Sequence, residues 1–271
     1  MPGMGDAMEV FDRRAVRRHR DRAARSVGSV ADVLRDAAER LVDRLDDTTR
    51  RYGQALDVGG RGVVAPLLRA RGIEVVSCDL SPAMAALNGG LAVAADEEFL
   101  PFAAGSFDLV VASLSLHWVN DLPGALIQLR MALRPDGLLL ASLPALGTLA
   151  ELRRALTQAE AALTGGVAPR VSPFADLRDC AGLLQRAGFA LPVADVEEIR
   201  LLYAEPLALL RDLRVAGEAN ALRERDRRIP PRELFAAARG LLPTENGRVP
   251  VTLRLAVMTG WADGAPGRGA G

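Results

Sequence analysis

Between Gln54 and Leu143 the chain alternates short apolar runs with helical segments, and this alternation restricts the fold more than any other feature of the sequence. Gln54–Val58, Ile73–Cys78, Leu91–Ala95, Phe107–Ser113 and Leu138–Leu143 read as strands. Between them the pattern predicts helices over Val63–Arg71, closed by Gly72, and over Pro82–Leu87, capped by Ser81 with proline at the first position. A further helix, Asp121–Leu133, precedes the turn Arg134-Pro135-Asp136-Gly137. Strands alternating with helices indicate βαβ units, a parallel sheet and an α/β fold. Sheets of this kind hold ligands at the carboxyl ends of their strands.

The flanks are less regular. Residues 1–8 and the Gly/Pro-rich tail 263–271 read as disordered. Helical spacing runs from about Ala15 to Arg25 and again from Val30 to Leu45, where Val30, Val33, Leu34, Ala37, Leu41 and Leu45 form an i, i+3, i+4 stripe. Beyond the fifth strand, helices are expected over Thr148–Leu163, Asp176–Ala187, Pro206–Ala216 and Pro231–Leu241. Val193–Tyr203 and Val249–Trp261 read as the last strands. The segment Gly165–Arg239 interrupts the alternation and is expected to cap the substrate side.

At 271 residues the chain fits one large domain. Its formal net charge of zero gives no global field for nucleic acid or a membrane surface. All 34 basic residues are arginine, which excludes a lysine Schiff base or lysine general base and suits a GC-rich bacterial genome. Cys78 and Cys180 fit no metal spacing and read as reduced thiols in a cytoplasmic protein. No apolar run approaches the ~20 residues of a membrane span, and no secretory signal is visible. The Arg-rich stretch Phe11–Arg25 resembles a transit peptide, but Asp12 and Asp21 argue for a structured amphipathic helix.

Three motifs fall at successive strand ends. Asp57-Val58-Gly59-Gly60-Arg61-Gly62 is a glycine turn between a strand and a helix, where backbone can approach a ligand. Its spacing is not the GxGxxG dinucleotide fingerprint. Asp79 ends the second strand, next to Leu80, and a carboxylate there can accept both hydrogens of a ribose diol; it can equally serve the helix start at Ser81. Asp96 and Glu97 follow the third strand, where a carboxylate can accept from an adenine amino group; Glu98 reads as a solvated acid. Together they describe an adenosine-containing ligand without phosphates, since no Lys or Arg cluster stands at the turn, and so point to S-adenosylmethionine. The fourth strand ends in Ser113, followed by Ser115, His117 and Trp118, which would face the substrate. His117 is the candidate catalytic residue or an ordinary hydrogen-bonded histidine, and Trp118 a substrate-side or core aromatic. No metal site is predicted.

At these residues the chain resembles the class I S-adenosylmethionine-dependent methyltransferases. More closely it resembles the methyltransferase-fold assembly factor of respiratory complex I, and more distantly the malonyl-carrier-protein methyltransferase of biotin synthesis. The matching stretches are Val10–Arg13, Ala95–Phe102, Ser106–Leu122, Arg134–Gly137, Ser172–Phe174, Arg186–Phe189 and Gly260-Trp261. The resemblance implies a Rossmann-like, seven-stranded, mostly parallel sheet whose last strand is antiparallel. It implies one methyltransferase-fold domain over residues 9–262: a helical extension (9–50), a cofactor-binding half (51–145) and substrate-side helices with the last strands (146–262). It implies a cofactor site around Asp57, Gly59, Asp79 and Asp96, to which Gly60, Gly62, Leu80, Glu97 and Ser113 are added by position. It further implies a protein substrate on a complex I subunit, with the protein cytoplasmic or peripheral at the inner membrane through that partner.

One departure stands out. The family turn reads Asp-x-Gly-x-Gly-x-Gly, and here it is one residue short, or Arg61 occupies a glycine slot and crowds the site. The assembly-factor family is known for arginine hydroxylation, so three readings follow: a methyltransferase, an arginine hydroxylase, and a non-catalytic assembly chaperone. An iron site of two histidines and a carboxylate would need both His19 and His117, the two histidines of the chain. Asp79→Ala is expected to weaken nucleoside binding with little loss of folding.

Overall fold

The computed structural model describes residues 9–263. The expected disordered stretches, 1–8 and most of 263–271, lie outside these residues apart from Asp263. Seven strands form one sheet: β1 (Gln54–Val58), β2 (Glu74–Asp79), β3 (Leu91–Ala94), β4 (Phe107–Ser113), β5 (Leu133–Pro144), β6 (Phe189–Tyr203) and β7 (Val249–Ala262). Their order is β3-β2-β1-β4-β5-β7-β6. The first five run parallel, and β7 is antiparallel to both of its neighbours. The strand order reverses between β1 and β4, so the crevice of an open α/β sheet opens at the ends of those two strands.

Helices α1 (Arg13–Ala23) and α2 (Ala31–Val42) form the N-terminal extension, and α3 (Val64–Ala70), α4 (Pro82–Ala85) and α5 (Leu122–Ala132) are the crossovers. After β5 come α6 (Ala150–Thr164), α7 (Leu177–Arg186), α8 (Ala208–Val215) and α9 (Arg232–Leu241). The buried runs β4 and β5 divide their side chains by the period of two. Val110, Ala112, Leu139 and Ala141 pack with Leu126, Leu129 and Leu184 of α5 and α7. Leu109, Val111, Leu138 and Leu140 pack on the other face with Leu41, Val64 and Leu68 of α2 and α3. Both faces of the sheet are thus covered, which is why these strands read as continuous apolar runs.

The Arg134–Gly137 segment departs from expectation. It lies inside β5 as an irregularity: Phe107 pairs with Leu133, and the ladder resumes five residues on, with Leu109 beside Leu138. Asp136 takes a positive φ of 58° there, so the turn chemistry is expressed as a bulge. Strands β6 and β7 run on past Pro144, the end of β5, as a two-stranded ribbon in register to Tyr203 and Val249. A separate apolar cluster of α6, α8 and α9 packs on that ribbon. This second layer stands over the carboxyl end of the sheet, where Gly165–Arg239 was expected to form a cap.

Candidate functional site

The site is built on the ends of β1, β2 and β4. Gly59 follows β1 at φ +67°, and a Cβ on it would come within 2.6 Å of the Ser115 Cβ. Only glycine fits this close approach of the turn to the segment after β4. Asp57 is fully buried, and its carboxylate lies against the backbone of Gly60, where a Cβ would meet Oδ1 at 2.2 Å. Ser77 donates to Asp57 Oδ2 at 3.2 Å, while Oδ1 has no partner. Burial pushes the Asp57 carboxyl up to about 7 against that hydrogen bond. Gly62, at φ +83°, donates its N–H to Asn88 at 2.8 Å and closes the turn.

The acids at the next two strand ends are held by arginines from α1. Arg20 is 1% exposed and donates from Nη1 to Asp79 Oδ2 at 2.8 Å and to Glu97 Oε1 at 3.4 Å. Arg13 donates to Asp96 at 2.6 Å, to Glu97, and to the Trp118 carbonyl at 3.1 Å. Asp79 Oδ1 accepts from the Ser81 N–H at 2.8 Å, which is the helix-start role. Burial lowers the pKa of Arg20, but Asp79 and Glu97 outweigh it and hold the guanidinium charged. Two expectations are corrected here. Arginines do stand at the turn, because α1 folds over it: Arg20 Nη1 lies 3.1 Å from a Cβ built on Gly59. Asp79→Ala would also leave a buried guanidinium short of its nearest counter-charge, so a cost to folding is expected.

Arg61 takes φ +50°, a left-handed backbone that costs a non-glycine residue roughly 1–2 kcal/mol. Its side chain, in turn, is buried and donates to the Leu114 carbonyl at 2.7 Å and to Glu218. It therefore does occupy the crevice. Glu218 also accepts from Trp118 Nε1 at 2.8 Å and lies 2.8 Å from His117 Nε2. Burial raises the Glu218 pKa, but His117 and Arg61 outweigh it and bring it well below the usual carboxylate range.

Of the predicted residues, Asp57, Gly59, Gly60, Gly62, Asp79, Asp96 and Glu97 converge on the turn and its α1 cover. His117 and Trp118 converge on Glu218. Leu80 instead packs with Phe11, Ala15, Val16 and Trp118, and Ser113 pairs with Ser142 within the β4–β5 ladder. Glu98 is not merely solvated, since its Oε1 accepts from the Asn120 N–H. Trp118 is core and wall together: it is 4% exposed, meets Phe11 edge-to-face at 5.3 Å, and borders a cavity. That cavity, of about 480 Å³, is lined by Leu149, Leu152, Leu209, Leu213, Phe235 and Leu253 together with Arg61, His117 and Glu218. Arg13, Arg20 and Glu218 were missed from the sequence. For Arg20 a signal existed, because it falls among Ala15, Val16 and Ala23 on the inner face of α1. Glu218 lies in a loop with no periodicity.

Among the described residues no group of three or more His, Cys, Asp or Glu is placed to hold a metal ion, and no helix is long and apolar enough to cross a membrane. The donor set around the turn fits a nucleoside bearing an amino-acid tail in kind. Asp57 Oδ1, Ser115 Oγ, Arg20 Nε and Nη2, and Arg61 Nε are all buried without partners. An Nε–Nη2 edge is the face that takes a carboxylate in two parallel hydrogen bonds.

The fold and this site define a methyltransferase-type α/β protein, and comparison with known proteins agrees. Residues 29–192 match the family model described as "Methyltransferase domain", and the chain belongs to that family. It is 38% identical over 266 residues to the mitochondrial arginine-hydroxylase NDUFAF5 of Danio rerio, covering 94% of this chain and 83% of that one. It is 36% identical over 275 residues to the malonyl-[acyl-carrier protein] O-methyltransferase of Laribacter hongkongensis, covering 94% and 91%. Among solved structures, the YcgJ protein of Bacillus subtilis superposes with a TM-score of 0.56 at 16% identity, covering 83% of this chain and 98% of that one.

Proposed function

We propose that the chain binds S-adenosylmethionine at the ends of β1–β3 and modifies a protein substrate during respiratory complex I assembly. The observation that carries the reading is the run of acids at successive strand ends, Asp57, Asp79 and Asp96–Glu97, beside a glycine turn ringed by unpartnered polar atoms. In this reading Asp79 accepts from the ribose diol, Asp96 and Glu97 accept from the adenine amino group, and the turn at Gly59, Gly60 and Gly62 admits the amino-acid tail. Leu80 and Ser113 flank it. Arg20 turns its Nε–Nη2 edge to the tail carboxylate and yields part of Asp79 to the diol. When bound, the cofactor supplies an electrophilic methyl group. The protein's task is then to align the acceptor and exclude water, which the apolar cavity beside His117 and Trp118 suits.

A second reading, hydroxylation of a substrate arginine on the same fold, is favoured by the identity to NDUFAF5. A third, an assembly chaperone with weakened cofactor binding, is favoured by the short turn. The domain division at residues 50 and 145, and a cytoplasmic protein that meets the inner membrane only through its partner, belong to the same proposal. Mass spectrometry of complex I subunits from strains with and without the gene tests it. Loss of a methyl mass supports methyl transfer, loss of an oxygen mass supports hydroxylation, and unchanged subunits overturn both enzymatic readings.

A further inference from the structure

Glu218 is engaged at both carboxylate oxygens: Oε1 by Arg61, Oε2 by Trp118 Nε1 and His117 Nε2, each of the latter at 2.8 Å. An ionised carboxylate accepts hydrogen bonds and cannot donate. The His117 nitrogen that faces it therefore carries a proton. A neutral imidazole has one N–H, so the other nitrogen, Nδ1, keeps a lone pair. Nδ1 is buried and has no partner, and His117 forms part of the wall of the apolar cavity. The side chain of Glu218 is 18% exposed and that of His117 8%, so the pair is largely buried. Arg61 from the glycine turn and Arg20 from α1 bring positive charge to it, and Arg170, Asp212 and Arg214 line the same cavity.

We propose that Glu218 is a positioning residue that fixes His117 in the Nε2–H form, and that His117 Nδ1 accepts a proton from the group presented through the cavity. The ligand class is a hydroxyl, thiol or ammonium at the end of an apolar stem. In the step, the X–H bond breaks, the proton bonds to Nδ1, and the electron pair stays on X. The imidazolium so formed is stabilised by the Glu218 charge, the division of labour of a carboxylate–histidine pair. The proposal rests on the preceding reading only for what the freed electron pair attacks.

The chain has two histidines, so His19→Gln leaves one imidazole to observe. Nitrogen-15 NMR of that protein at alkaline pH reads the tautomer directly. The expected result is one dominant form, protonated at Nε2. Glu218→Leu, which removes the acceptor facing Nε2, is expected to convert that single form to a mixture. A purely structural Glu218 would lower stability and leave the tautomer alone. An Nδ1–H tautomer in the His19→Gln protein overturns the proposal, as does an unchanged tautomer in folded Glu218→Leu. If that variant does not fold, the tautomer of the His19→Gln protein decides. Neither readout depends on S-adenosylmethionine, so absent cofactor binding would sink the preceding reading and leave this one standing.

Discussion

At the scale of single residues, two buried groups dominate. Arg20 has its charge matched by Asp79 and Glu97 inside the protein. Breaking a buried pair by removing one partner leaves an uncompensated charge and costs about 3–5 kcal/mol. Arg20→Ala is therefore expected to lower the unfolding free energy by that amount, read from urea denaturation as a lower midpoint at unchanged m. Arg71→Ala, which removes a more exposed pairing with Asp43 and Asp46, is expected to cost under about 1 kcal/mol. Asp57 behaves differently. Its folded carboxyl is pushed up to about 7, above the ~3.9 of an unfolded chain. Between those values the folded state keeps a proton that the unfolded state has released, so stability falls as pH rises through this window. Thermal melts between about pH 5 and about pH 8 should show this fall, and Asp57→Asn should flatten it. Equal slopes in the two proteins would contradict the assignment. The acids of the site were legible because strand ends are legible. Their partners were not: Arg20 acts 59 residues from Asp79, and His117 lies 101 residues from Glu218. Local spacing carries no signal over such separations.

At the scale of elements, the sequence pattern specified type and place where a period was clean. β1 and β4 have the bounds that their apolar runs predict. The start of α5 was equally readable: Asp121 accepts from the Gly124 N–H at 2.9 Å, with proline in the first turn. Asp121→Ala should cost about 1 kcal/mol, the ordinary worth of such a cap, measurable by chemical denaturation. The pattern misread Arg134–Gly137, because a Pro-Asp-Gly sequence suits a turn and a bulge alike, and only the pairing of Phe107 with Leu133 selects the bulge. It also stopped short on β6, which begins at Phe189 rather than Val193, since Leu191 and Pro192 fall in an irregular part of that strand.

At the scale of the whole molecule, a sheet buried on both faces carries an N-terminal helix clamped over its carboxyl edge and a ribbon-borne helical layer beside it. Hydrogen exchange should be slowest in β1, β4 and β5, whose apolar residues are largely buried, and fast in β3, an edge strand with exposed side chains. The helical extension was visible in the sequence as an amphipathic segment, yet its purpose was not, because which acids it covers is decided by tertiary packing. The central claim is that these acids serve a nucleoside cofactor, with α1 as its cover. Calorimetric titration of the full chain with S-adenosylmethionine tests it most directly. The account predicts saturable binding that Asp79→Asn, a milder change than removal to alanine, weakens by about tenfold or more, near 1.4 kcal/mol. No detectable heat at millimolar ligand, or an affinity indifferent to Asp79, would contradict it.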